Sequence, residues 1–221
     1  AAVLANVRNQ IALLFRDLGT ENVFAFHLTG DPYVSPPERE ARRLPLQVSF
    51  AAAIARDSPS IRDVGVQVLL PRATETQALT ARAGGNESDA VLIEAASPNL
   101  FEIIGAEFTA GRPFTALENR EGVAVAVVGA SLARALYGGD SAVGRSLVMG
   151  GESFTVVGEL AKRRGGFFGE NRQDNVLTIP ERHARRRFGE PERVVIYARA
   201  RPGLRDAAYR EMESVLRRLR R

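Results

Sequence analysis

The feature that most limits the fold is the shortness of the apolar runs. VAVAVV, from Val123 to Val128, is as long as any in the 221-residue sequence and has the length of a β-strand. A membrane-spanning helix needs roughly 20 consecutive apolar residues, so the sequence predicts none. Similar β-type runs alternate with segments of helical periodicity. This pattern predicts a fold that mixes helices and strands.

Two amphipathic segments stand near the two ends of the sequence. Apolar residues from Leu4 to Leu18 follow 3-4 spacing up to Gly19, and a second stripe from Leu204 to Leu219 lies within a helix predicted over Gly203 to Arg221. A further helix is predicted from Pro45, in the first-turn position that proline favours, to Asp57.

Turn and capping residues predict the elements between these helices. The Gly84-Gly85 pair predicts a hairpin between two β-type runs. Ser97 is predicted to cap a short helix that starts at Pro98. AEFTAGRPFT is predicted to be extended, and the run Val123 to Val128 to form a strand before the helix ASLARALYG.

Charge and composition exclude several classes of function. The chain has 30 basic and 26 acidic residues, giving a net charge of +4, and most basic residues are scattered rather than gathered on one face. This pattern predicts no nucleic-acid partner. The absence of cysteine excludes disulfides, thiol catalysis and cysteine-based zinc sites.

The stretch GDSAVGRS, Gly139 to Ser146, differs by one residue from a phosphate-binding G-x-x-x-x-G-K-[ST] loop. Such a loop must follow a strand and open a helix, whereas here a helical segment precedes it and a β-type run follows. Arginine also replaces the compact lysine ammonium. We therefore predict a turn, with Gly138-Gly139 ending a helix.

No other motif predicts catalysis, a metal or a cofactor. The two histidines, His27 and His183, lie in different elements and are predicted to be packed and surface-exposed, respectively. Ser131 lacks the second glycine of a nucleophile elbow and is assigned to the first turn of a helix. The acidic pairs Glu38/Glu40 and Glu211/Glu213 are interpreted as solvated. No catalytic, metal or cofactor-binding residue is assigned.

A glycine-rich loop from Lys162 to Asp174 supplies the candidate contact residues. Phe167 and Phe168 are adjacent within it and follow Arg163 and Arg164. Two phenylalanines in such a loop either pack into the core or contact a partner. These four residues are the candidate partner or substrate contacts.

Three stretches of the sequence stand in a recognisable order and spacing: ASPNLFEIIGAEFTAGRPFT, VAVVGASLARALYGGDSAVGRSLVMGGESFTVVGEL and DNVLTIP. Their most specific marks are Leu100-Phe101 with Gly105, Gly111-Arg112-Pro113-Phe114, Val127-Val128-Gly129 with Leu132 and Leu136, Val143-Gly144 and Phe154 to Gly158. Together they resemble the MacB-type periplasmic core domain, the extracytoplasmic domain of type VII ABC-transporter permeases such as MacB, LolC/LolE and FtsX-like proteins. The similarity covers about Asn22 to the C-terminus. Two differences from the family are Ala142, where a proline is usual, and the loop from Lys162 to Asp174.

The resemblance implies an α+β fold with two subdomains. A mixed α/β porter subdomain would comprise residues 19–96 and 190–221, and a β-rich sabre-like subdomain would be inserted at 97–189. Residues 1–18 would form an N-terminal stalk helix, and the C-terminal helix would be the second stalk. In the family, a transmembrane helix precedes and follows this domain.

The implied function is non-catalytic: the domain would couple the ATP-driven conformational change of the membrane helices to the export (efflux) or extraction of a substrate, a role called mechanotransmission, on the periplasmic side of the inner membrane. The implied partners are an ABC ATPase subunit or domain, a second permease copy and a periplasmic adaptor protein. Neither cofactor nor nucleic acid is expected. The cargo and the choice between a homodimer and a heterodimer stay open.

Two alternatives stay open at the level of sequence. One is a periplasmic sensor domain between two membrane helices, which a defined ligand pocket would favour. The other is a hydrolase whose triad is assembled from distant parts of the chain.

Overall fold

The computed structural model describes residues 21–26, 45–70, 80–89, 91–162, 174–191 and 193–220. In these ranges, eleven strands form one mixed sheet, and six helices accompany it. The α+β class predicted from the sequence is confirmed. The predicted N-terminal helix over residues 1–18 lies outside the described residues.

The strands are between three and nine residues long. Their bounds are β1 (Asn22–Phe26), β2 (Ile61–Leu69), β3 (Ala81–Ala83), β4 (Asn86–Ser88), β5 (Leu92–Ala96), β6 (Phe108–Gly111), β7 (Val125–Val128), β8 (Ser146–Met149), β9 (Glu152–Leu160), β10 (Val176–Pro180) and β11 (Arg193–Ala200).

The helices vary from one turn to four. Their bounds are α1 (Phe50–Asp57), α2 (Leu100–Ile103), α3 (Ala116–Glu121), α4 (Ala130–Tyr137), α5 (Glu181–Phe188) and α6 (Arg205–Leu219). At about 1.5 Å per residue, α6 is roughly 22 Å long.

The strand order is β1-β11-β2-β5-β10-β7-β9-β8-β3-β4, with β6 paired to β9. The pairs β5/β10 and β7/β9 are parallel, and the remaining pairs are antiparallel. The sheet is continuous across the predicted subdomain boundary, because β5 pairs with β10 and β3 pairs with β8. The two-subdomain division stays a prediction.

Alternation along the strands divides the buried side chains between two faces of the sheet. The larger core lies on the first face, where α1, α4, α5 and α6 contribute buried apolar residues. On the second face a smaller core forms around Phe101, whose ring lies 5.3 Å from that of Phe114 and 5.5 Å from that of Phe108, both edge to face.

A row of polar side chains crosses four neighbouring strands on the second face. Tyr197 Oη donates to Gln67 Oε1 at 2.8 Å, Gln67 Nε2 donates to Glu94, and Thr178 Oγ1 donates to Glu94 Oε1 at 3.2 Å. Glu94 and Thr178 are buried. Because buried polar groups need hydrogen-bond partners, this row links β11, β2, β5 and β10 through their side chains, in addition to their backbone pairing.

Several local predictions are confirmed and others are wrong. The Gly84-Gly85 turn and the C-terminal helix are present. The helix predicted from Pro45 begins at Phe50, because Gln47 and Val48 accept turn hydrogen bonds before it. Ser97 does not cap α2, since its hydroxyl accepts the Val66 N–H at 2.9 Å and donates to Asn99.

Candidate coupling site between the C-terminal helix and the sheet

The helix α6 leaves the sheet through a short turn that is bonded to the neighbouring strand. β11 pairs with β1 on one side and with β2 on the other. After β11, the Arg201 N–H donates to Ser60 O at 2.8 Å, and Arg201 Nε donates to Pro59 O at 2.9 Å. The chain therefore enters α6 while still attached to the segment just before β2.

The middle of α6 contacts the same segment through a carboxylate. Glu211 Oε2 accepts the Ser60 N–H at 2.9 Å, and Glu211 Oε1 accepts the Ser60 hydroxyl at 2.7 Å. Ser60 is buried, and the side chain of Glu211 is half-buried. Hydrogen bonds to a charged group are stronger than neutral ones, so this bidentate contact is a firm link.

The last turn of α6 contacts the end of α1. Arg218 pairs with Asp57 Oδ2, and Arg56 Nε lies 2.8 Å from Asp57 Oδ1. The hydrogen bond from Arg56 is the main cause that lowers the pKa of Asp57, and Arg218 adds to it. We call Asp57, Pro59 and Ser60, with Arg201, Glu211 and Arg218, the junction clamp.

The opposite side of α6 is apolar and enters the larger core. Ala208, Met212 and Val215 are buried, and Leu216 and Leu219 pack against the same core. At about 25 cal/mol per Å², burying such side chains contributes roughly 1 to 3 kcal/mol each. The helix is thus fixed to the domain along one apolar stripe and by the polar contacts of the clamp.

The acidic pair Glu211/Glu213 was predicted to be solvated, and for Glu211 this is wrong. Its carboxylate accepts both Ser60 hydrogen bonds because the sheet places the start of β2 beneath that turn of α6. Glu213 lies on a solvent-exposed face of α6 and pairs with Arg217 at 2.8 Å, with half of its side chain exposed. Glu38 and Glu40 lie outside the described residues.

The histidine prediction is wrong for His183. The residue is 8% exposed, and Nδ1 lies 3.0 Å from Gly122 O while Nε2 lies 3.1 Å from Glu152 Oε1. Its ring stacks edge to face with Phe154. It is buried because α5 packs against the end of α3, an element that the sequence analysis missed. His27 lies outside the described residues.

The segment from Gly139 to Ser146 is the predicted turn. It lies between the end of α4 and the start of β8, so no helix begins at it. Gly138 has a positive φ of 75° at the end of α4. Arg145 pairs with Asp140 at 3.0 Å and lies over the ring of Tyr137. The Arg145 guanidinium therefore bonds within the turn and to the end of α4.

The helix α3 was not among the elements predicted from the sequence, although a capping signal was present. Thr115 and Glu118 form a capping box: the Glu118 N–H donates to Thr115 Oγ1 at 3.1 Å, and the Thr115 N–H donates to Glu118 Oε2 at 2.6 Å. Arg112 also donates two hydrogen bonds to the Glu118 carboxylate. Together these contacts lower the pKa of Glu118 to about 2, the Arg112 hydrogen bonds contributing most.

The candidate contact residues Arg163, Arg164, Phe167 and Phe168 lie outside the described residues, so their role stays a prediction. Among the described residues, no group of three or more His, Asp or Glu side chains lies close enough to hold a metal ion. No helix in the described ranges is long and apolar enough to cross a bilayer.

Three motif glycines occupy positions where the neighbouring backbone leaves no room for a side chain. A Cβ on Gly111 would lie 2.3 Å from Val157 O, and one on Gly158 would lie 2.3 Å from Arg112 O, so β6 and β9 approach too closely for side chains there. A Cβ on Gly129 would lie 2.3 Å from Asp174 O, the carbonyl that accepts the Ser131 N–H at the start of α4.

A family model described as the MacB-like periplasmic core domain matches residues 1–215. The chain belongs to this family. The match runs through the whole clamp apart from Arg218, and it confirms the resemblance drawn from the sequence motifs. No curated protein matches the chain in sequence.

Solved structures share the fold of this MacB-like core domain at low sequence identity. The periplasmic region of MacB from Actinobacillus actinomycetemcomitans has a TM-score of 0.73 at 16% identity, covering 93% of this chain and 87% of that one. The extracellular domain of the noncanonic ABC-type transporter YknZ from Gram-positive bacteria has a TM-score of 0.56 at 16% identity, covering 76% and 83%.

A domain of a putative permease protein from Porphyromonas gingivalis has a TM-score of 0.54 at 18% identity, covering 77% of this chain and 76% of that one. Family membership thus makes the chain an extracytoplasmic domain of the kind found in MacB-like ABC transporter permeases.

Proposed function

We propose that this MacB-like core domain is a non-catalytic transmitter of motion in an ABC transporter permease. In this account, membrane helices flank the domain, and α6 carries their ATP-driven displacement into the sheet. The moving sheet then helps to expel or extract a substrate on the outer side of the inner membrane. The domain needs neither cofactor nor catalytic residue for this role.

The junction clamp is the observation that supports the proposal. A helix transmits displacement only if it is fixed to the body that must move. α6 is fixed near its start by Arg201, in its middle by Glu211 and near its end by Arg218. All three contacts reach the short segment 57–60, which leads directly into β2.

The polar row provides a continuation of this path across the sheet. β2 and β11 receive the displacement at the clamp, and Gln67, Glu94 and Thr178 join β2 to β5 and β10. β10 belongs to the predicted inserted subdomain. A pull on α6 would therefore reach both predicted subdomains through paired strands and not through a flexible linker.

The proposed partners follow from the same role. An ABC ATPase subunit or domain would supply hydrolysis, and a second permease copy would complete the transporter. A periplasmic adaptor would receive the substrate, with the loop that carries Phe167 and Phe168 as a candidate contact.

A break between helix and sheet tests this function. Inserting Gly-Gly between Gly203 and Leu204 of the full-length transporter lengthens the connection between β11 and α6. We expect ATP hydrolysis to persist while cargo released per ATP falls severalfold. The matched control inserts Gly-Gly between Gly84 and Gly85, in the exposed hairpin turn at the far edge of the sheet. Equal coupling in the two insertions would contradict the proposal.

A further inference from the structure

The C-terminal ends of α6 and α1 meet and gather basic side chains. Arg217 and Arg218 lie in the last turn of α6, Arg220 follows directly, and Arg56 lies in the last turn of α1. The contact between Arg218 and Asp57 shows that the two helix ends are neighbours. The negative ends of two helix dipoles thus attract arginines to one place.

Within the described part of the chain, carboxylates at this end only partly balance the arginines. Arg56 and Arg218 share the single carboxylate of Asp57, while Glu213 pairs with Arg217. The side chains of Arg56, Arg217 and Arg218 are 73%, 69% and 59% exposed. Each guanidinium has five N–H donors, so two arginines have more donors than the one carboxylate of Asp57 can accept. The end of α6 therefore carries excess positive charge that faces solvent.

We propose that this basic end binds the phosphate headgroups of anionic phospholipids. The inference rests on the proposed function, in which the chain continues from α6 into a membrane helix, so that this end faces the bilayer surface. An arginine near an anionic surface adds about fivefold to the binding constant. Contact with headgroups would hold the C-terminal end of α6 at a fixed depth relative to the bilayer. Displacement of the membrane helix would then pass along α6 into the sheet.

Vesicle binding by the 221-residue chain tests this proposal. We expect it to cosediment with vesicles of phosphatidylcholine and phosphatidylglycerol, and not with phosphatidylcholine alone. The double variant Arg56→Glu/Arg217→Glu should lower the binding constant about tenfold or more. It leaves Arg201, Glu211 and Arg218 of the junction clamp in place. An unchanged binding constant would overturn the proposal, as would a wild-type chain that binds neither vesicle.

The matched control is Arg82→Glu/Arg120→Glu. These side chains are 70% and 66% exposed, and each pairs with a glutamate, so exposure, pairing and the change in net charge closely match those of the test variant. We expect less than a twofold change. Equal losses in the two double variants would mean a general attraction of a basic protein to an anionic surface, and would overturn the proposal.

A position-specific readout distinguishes the bound orientation. Because the sequence has no cysteine, a fluorophore on a cysteine introduced at Ser214, an exposed position of α6, labels that site alone. Lipids with quencher-bearing headgroups should reduce the fluorescence at position 214 strongly. They should reduce the fluorescence of a label on a cysteine introduced at the exposed Ser153 in β9 less. The reverse order would overturn the proposal. This outcome is separate from the insertion experiment, which measures coupling without reference to lipid binding.

Discussion

The carboxylate of Glu211 holds both the backbone N–H and the hydroxyl of Ser60, a residue 151 positions earlier in the chain. One contact thereby joins the middle of the C-terminal helix to the start of a central strand. Ser60 is buried and immediately precedes β2, so a shift of α6 cannot leave β2 in place without breaking both hydrogen bonds.

Removing this carboxylate should destabilise the domain. Hydrogen bonds to a charged group contribute about 1.5 to 3 kcal/mol, so we expect Glu211→Ala to lower the free energy of unfolding by about 2 kcal/mol. The control Glu213→Ala, which removes an exposed i,i+4 ion pair with Arg217, should cost less than about 0.5 kcal/mol. Urea unfolding measures both, and equal losses would contradict the assigned role of Glu211.

Glu181 should limit stability at neutral pH. Burial raises the pKa of its carboxyl, with the nearby Arg185 and Asn119 opposing the shift only in part. A raised folded-state pKa means that stability is greatest below the unfolded value of about 4.5 and is lost as pH rises through the folded value. Glu181→Gln should therefore stabilise the domain at pH 7, and the gain should vanish below about pH 4.

Thermal unfolding of Glu181→Gln and wild type at the two pH values measures this effect. Glu190→Gln is the matched control, because Glu190 pairs with Arg185 on the same helix but its side chain is 74% exposed. A destabilised Glu181→Gln at pH 7 would show that the buried carboxylate is needed in its ionised form.

Glu118 should stabilise the domain at neutral pH, in contrast to Glu181, because its pKa is lowered and not raised. Its pKa is lowered to about 2, chiefly by hydrogen bonds from Arg112 and also by the Thr115 N–H. Stability from a lowered pKa is present above about pH 4.5 and lost as pH falls toward 2. We expect Glu118→Gln to cost about 1 kcal/mol at pH 7, because a neutral amide loses the charge-assisted hydrogen bonds from Arg112, and much less near pH 2, where the carboxyl is itself becoming neutral. A pH-independent loss in urea unfolding would contradict this.

The turn from Gly139 to Ser146 should not bind nucleotide. Its amides do not open a helix, and Arg145 is engaged by Asp140 and Tyr137. Calorimetry with ATP and magnesium should give no binding heat for wild type or for Arg145→Ala. Micromolar affinity that Arg145→Ala abolishes would make the segment a phosphate site after all.

Periodicity and glycine positions predicted most elements of the fold. The 3-4 stripe in α6, the Gly-Gly hairpin and the strand-then-helix order around Gly129 depend on neighbours in sequence, so a single sequence reveals them. The family motifs added the overall class. The helix α3 could also have been predicted from the sequence, because Thr115 and Glu118 are the two members of a capping box.

The contacts that form the coupling site were not predictable in the same way. Glu211 and Ser60 look like an ordinary solvated acid and a loop serine until the sheet places them together. His183 likewise looks exposed on a helix with four arginines, and becomes buried only because α5 packs against Gly122 and Phe154. Such pairings depend on long-range packing, which local patterns do not encode.

The central claim is that α6 transmits ATP-driven motion into the sheet. It is tested most directly in the full-length transporter, with a fluorophore at Ser153 and an energy-transfer acceptor at the bilayer surface. We predict that ATP changes the transfer efficiency in wild type and in Glu213→Ala, and that Glu211→Ala strongly reduces this change while hydrolysis continues. An ATP response in Glu211→Ala equal to that of wild type, or no response in wild type, would contradict the account.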